Sequence, residues 1–129
     1  MKKENKLYEL ILQSINDLSE ATRAKNERND NEFTEKIWKI NADLEYLTFI
    51  MNLARENASD LWKEDMKTMR IVDLDKELSM VTQLLYEALS AIAKDTDVAY
   101  RKIWFARGNM LTIQKKIDNL RARQNSQQP

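Results

Sequence analysis

The chain has 129 residues, 21 basic and 21 acidic side chains, no cysteine and no histidine. Disulfides, thiolate chemistry and histidine-based acid–base or metal chemistry are therefore excluded. One glycine (Gly108) and one proline (Pro129) are too few for a turn-rich β fold, whereas 43% hydrophobic and 33% charged residues suit a single all-α domain.

The basic start, MKKENKLYEL, is not followed by an uninterrupted apolar run, so it does not read as a secretory leader. No stretch approaches the ~20 apolar residues of a membrane span, and a cytoplasmic protein is expected. The first apolar ladder follows directly: Tyr8, Ile11, Ile15, Leu18, Thr22. Its alternating steps of three and four keep one side of an α-helix apolar. The polar stretch NERNDNE (26–32) ends it, with Asp30 or Asn31 as cap of the next helix. The second ladder is Phe33, Ile37, Ile40, Leu44, Leu47, Met51, Ala54, Ala58, with Tyr46, Phe49, Ile50 and Leu53 standing off it.

Between residues 59 and 72 the phase slips, because Asp65 falls where an apolar residue is due and Trp62, Met66 and Met69 begin a new phase. A short extra helix or irregular crossover is expected there, either capping the bundle or acting as a lid. The third ladder is Leu74, Leu78, Val81, Leu85, Ala88, Ile92. DLDKE (73–77) imitates the start of a calcium loop, but Leu78 and Leu84 stand where that loop needs glycine and glutamate. It reads instead as the acidic first turn of the third helix, favoured by the helix dipole. KDTD (94–97) then makes a short turn with Thr96 or Asp97 as cap, so helices three and four are antiparallel neighbours. The fourth ladder is Ala99, Ile103, Ala106, Met110, Ile113, Ile117, Leu120, and the tail RARQNSQQP is expected to fray. Four sustained seven-residue ladders predict an all-α, antiparallel (up-down) four-helix bundle over residues 1–123, with 124–129 disordered.

Gly108 stands inside the fourth helix, where glycine costs about 1 kcal/mol relative to alanine. Its side of the helix wheel holds Arg101, Trp104, Phe105, Leu111, Thr112 and Lys115, so this face is not simply solvated. A helix that is apolar on two sides has two packing partners. The second partner is a second copy of the chain, most simply a two-fold dimer, or the crossover or first helix of the same chain, or an outside ligand or helical protein. The interface candidates are Trp104, Phe105, Gly108 and Leu111, with Phe49 and Leu53 as counterparts.

From Ala99 onward the chain carries net charge +6, and the rest carries −6. Basic residues with interleaved aromatics suggest nucleic-acid binding, but the pI near 6.4 argues against it. Arg101, Arg107 and Lys115 are alternative anion ligands. Magnesium needs only oxygen donors, for which Glu32, Glu35 and Asp43 are the candidates. The ladders contain no acid, and no phosphate loop or dinucleotide-binding glycine pattern is present. The expectation is a non-catalytic assembly or adaptor protein that self-associates or binds a partner helix, with no cofactor. The alternative is a magnesium-dependent helical enzyme binding an anionic ligand or nucleotide at subunit junctions.

Overall fold

The computed structural model describes residues 2–55, 60–63 and 73–126. They form four helices: α1 (Lys2–Asn26), α2 (Asp30–Leu53), α3 (Leu74–Ala91) and α4 (Thr96–Ser126), with one 3-10 turn at Leu61–Lys63. The all-α bundle expected from the ladders is the observed fold, with the short extra element between α2 and α3. Among the described residues α1 packs on α2 and α3, and α4 packs on α2 and α3. The diagonal pairs, α1 with α4 and α2 with α3, are not backbone neighbours.

Neighbouring helices are antiparallel. Lys25 at the end of α1 pairs with Asp75 at the start of α3 (2.9 Å), and Arg55 just past α2 pairs with Asp97 at the start of α4 (3.0 Å). The two tight turns, between α1 and α2 and between α3 and α4, fix the other two pairs. It follows that α2 and α3 run the same way at opposite corners. The link from 54 to 73 therefore leaves one end of the bundle and rejoins it at the other, a distance of about 27 Å for an 18-residue helix. Of the crossover residues singled out above, Ala58, Ser59, Asp65, Met66 and Met69 lie outside the described set.

The ladder centres form the core. Ile11, Leu18, Ile37, Ile40, Leu44, Leu47, Val81, Leu85, Ile103, Met110 and Ile113 are all buried. Of the outer ladder positions, Tyr8, Ala54 and Leu120 are exposed, whereas Phe33, Ile92 and Ala99 are buried. Three local expectations need correction. The cap of α2 is Asn29, whose side chain accepts from the Glu32 amide, and Arg28 before it takes the left-handed conformation (φ 59°) that turns the chain. The cap of α4 is Asp95, which accepts from the amides of Asp97 and Val98. The helix α4 runs on to Ser126, so 124–126 of the expected disordered tail are helical, and 127–129 lie outside the described residues.

Acids lie beside the ladders rather than in them, yet two are buried. Asp17 accepts Lys39 Nζ at 2.7 Å and Gln13 Nε2 at 3.2 Å, with Lys36 Nζ at 3.6 Å, and this cluster ties α1 to α2. Glu77 is 5% exposed and its Oε2 has no hydrogen-bond partner among the described residues. Burial pushes its carboxyl pKa up. Between the ordinary glutamate pKa and this raised one, the folded chain holds a proton that the unfolded chain has released. Stability therefore falls as pH rises through that window. We expect Glu77→Gln to remove the Glu77 share of this slope and to raise stability at pH 7 by about 1 kcal/mol, the scale of an unpaired buried polar group. Urea denaturation of both proteins between pH 4 and 7 checks this, and parallel curves would assign the slope elsewhere.

Candidate functional site

The side of the bundle formed by α2 and α4 carries an unusual surface. On α2, Trp38, Phe49 and Leu53 are 68%, 62% and 70% exposed, and Tyr46 and Ala42 between them are exposed too. Their spacing of four, four, three and four residues puts all five on one face of the helix. Beside them α4 presents Leu111, which is exposed, and Gly108. A Cβ built on Gly108 would meet nothing within 4 Å. No close approach inside the chain thus requires this glycine.

Asn41 fixes how the two helices lie against each other. It is buried, and its amide donates to the carbonyls of Ile37 in its own helix and Met110 in α4, both at 3.2 Å. With the Arg55–Asp97 pair at one end, this sets residue heights along the antiparallel pair. Glu45 is level with Arg107, Ala42 with Asn109 and Met110, and Glu35 with Lys116 and Ile117. A groove of about 530 Å³ lined by Glu35, Trp38, Gln114, Asp118 and Arg121, with Asn31 and Thr34, runs between the helices at one end. A smaller one of about 260 Å³ lies between Glu45, Thr48, Phe49, Asn52, Tyr100, Trp104 and Arg107.

The N-terminal half of α4 is covered from within the chain. Trp62, at the 3-10 turn, packs edge-on against Trp104 (5.3 Å between centroids) and Tyr100 (6.1 Å), and tilts onto Phe105 (6.0 Å). Cations clamp this cluster. Lys63 donates to the Tyr100 hydroxyl at 3.0 Å and lies over the rings of Trp62, Tyr100 and Trp104. Arg55 lies over the Tyr100 ring at 4.1 Å and bonds Asp60 (2.9 Å) and Asp97 (3.0 Å). Burial works against the Arg55 charge, but the Asp60 hydrogen bond and the charges of Asp97 and Asp60 hold its pKa above the ordinary value. The hydrogen bond from Arg55 in turn holds the Asp60 carboxyl below its ordinary range.

The sequence-derived candidates divide accordingly. Trp104 and Phe105 are half-buried under Trp62, so the intramolecular cover accounts for them. Phe49, Leu53, Gly108 and Leu111 remain on the open α2–α4 side. The anion candidates do not converge. Arg101 pairs with Asp97 and lies over the Trp62 ring, Arg107 lines the smaller groove, and Lys115 is exposed on the far half of α4. The magnesium candidates are not a ligand set. Glu32 pairs with Arg23, Asp43 with Lys39 at 3.8 Å, and Glu35 lines the larger groove. Among the described residues no group of three metal-ligating side chains comes together. No described helix is long and apolar enough to cross a membrane.

Sequence reasoning passed over Trp38, Arg55 and Lys63. The spacing Trp38–Ala42–Tyr46–Phe49–Leu53 was the signal for the first. Nothing local marks Arg55 and Lys63, whose partners lie on α4. Comparison with protein-family models, with curated proteins and with solved structures finds no match.

Two variants separate the covered and open parts of α4. Trp62→Ala should expose Trp104 to acrylamide quenching and cost about 2 kcal/mol, below the range for a fully buried tryptophan because Trp62 is half-buried. Gly108→Ala meets open space, so it should stabilise the single chain by about 1 kcal/mol through helix propensity. Urea denaturation at low protein concentration measures both, and a destabilised Gly108→Ala would mean that some contact within the chain needs the glycine.

Proposed function

We infer that the protein is a non-catalytic assembly module of the cytoplasm, working through the open side of α2 and α4, where it self-associates or takes a partner helix. The observation that carries this reading is the α2 stripe, with three large apolar side chains more than 60% exposed on one helix face. Monomeric proteins rarely leave such a contiguous apolar patch uncovered, and its aromatic content matches the anchors of protein interfaces. The grooves beside the stripe are open and lack a convergent set of charged donors, which favours a helix over a small ligand as occupant.

The competing reading is the anion- or nucleotide-binding enzyme with sites at subunit junctions. It is supported only by the scattered basic residues of α4 and by Glu35 on the larger groove. Light scattering across a dilution series tests the favoured reading. The parent should exceed the 15.3 kDa of one chain at tens of micromolar, and Trp38→Ser/Phe49→Ser should return it to one chain with unchanged helical circular dichroism. A parent that stays at one chain throughout, and whose melting temperature rises with a nucleotide and magnesium, would overturn this reading in favour of the enzyme.

A further inference from the structure

We propose that the occupant of the α2–α4 side is a second copy of the chain, related by a two-fold axis parallel to the helices, so that α2 of each copy lies on α4 of the other. The inference rests on the assembly reading above and supplies its partner and geometry.

Three observations lead to it. The first is charge. The outer side of α2 carries Glu35 and Glu45, and α4 carries Arg107 and Lys115. None of these four side chains makes an ion pair among the described residues, and Arg107 Nε has no hydrogen-bond partner. An acidic apolar helix beside a basic one is the self-complementary surface that a two-fold contact requires.

The second is height. Rotation about an axis parallel to the helices leaves every residue at its own level. The register set by Asn41–Met110 and Arg55–Asp97 then brings Glu45 to Arg107 of the partner subunit, and Glu35 within one helical turn of Lys115 of the partner subunit, inside the reach of a lysine side chain. A two-fold axis across the helices would instead set α2 against α2, acid against acid.

The third is bulk. The same rotation brings Ala42 within one helical turn of Gly108 of the partner subunit, the residue of α4 that has no side chain and where an added Cβ would meet nothing within 4 Å. Two small residues let helix backbones approach closely, and Trp38 and Leu111 flank that crossing. The glycine that the folded chain does not need is thus used between chains.

Complementary charge reversals test the pairing. Glu45→Arg alone sets arginine against Arg107 at both symmetric contacts, and Arg107→Glu alone sets glutamate against Glu45. Each should weaken dimerisation at least tenfold by light scattering. Mixing the two variants restores an opposite pair at both contacts, so the mixture should form a heterodimer with close to parental affinity. Pairing of Glu45 with Arg107 within one chain predicts no such rescue. A readout independent of charge uses the absence of native cysteine. A mixture of Ala42→Cys and Gly108→Cys, treated with a short bis-maleimide, should give a 42–108 linked pair, while neither variant links to itself. Dimers that form without rescue on mixing, or that link Ala42→Cys to itself, overturn the arrangement and leave self-association standing. A parent with the mass of one chain at every concentration overturns the second copy as occupant and self-association with it.

Discussion

The bundle depends on α2 lying antiparallel against α4, two helices that are not consecutive in the chain. The Asn41 amide, buried between them and bonded to the Met110 carbonyl, holds their register. A buried amide tolerates few positions, since a shift of one residue would leave its donor unpaired at a cost of about 1–3 kcal/mol. Once α2 and α4 are neighbours, α3 must take the corner diagonal to α2, and the link between them must travel the length of the bundle. Part of that link is the turn that lays Trp62 on Tyr100, Trp104 and Phe105. The aromatic cover on α4 is thus a consequence of helix order.

Electrostatics divides the two seams of α2. Towards α1, one buried carboxylate is paired with part-exposed cations: Asp17 takes Lys36 and Lys39, and Lys36 also takes Glu20. Beside this cluster burial raises the Asp43 pKa, with the Asp17 charge adding to it and Lys39 opposing. Towards α4, the polar contacts are Asn41 and, at one end, the Arg55–Asp97 pair, while Glu35, Glu45 and Lys115 stand outside. Breaking these contacts is costly because it leaves the Asp17 carboxylate buried and unpaired, so the α1–α2 seam resists sliding. Exposed charges contribute little to the stability of one chain and are available to select and orient another.

The core was legible because burial follows the three-four spacing. Ile37, Ile40, Leu44 and Leu47 could be placed inside without knowing what faced them. The order of the helices was not legible, since a ladder states which side of a helix is apolar and not which helix covers it. The caps were misplaced by one or two residues because NERNDNE and KDTD offer several short polar side chains, and only backbone geometry selects Asn29 and Asp95. Asp17 and Glu77 escaped notice for a related reason. They lie beside the apolar ladders, and tertiary packing decides which flank is covered. For α4 the sequence gathered Trp104, Phe105, Gly108 and Leu111 on one wheel face, but the cover supplied by Trp62 splits that face in two.

That division bears on why Gly108 is where it is. Under Trp62 the α4 surface is bulky, aromatic and already used by the chain. Beyond it, the surface drops to a glycine and then rises to Leu111. On α2, within one turn of that height, the stripe also drops, to Ala42, between Trp38 and Tyr46. Each feature alone costs the isolated chain something: the glycine loses helix propensity, and the exposed tryptophan and phenylalanine order water around apolar surface. Folding of a single chain explains neither. Both are explained if the two depressions meet, because helices can approach closely only where side chains are small on both sides. The bulky neighbours of each depression then close over the contact and exclude water from it. The register that Asn41 imposes for the sake of the core brings the two depressions within one helical turn of each other.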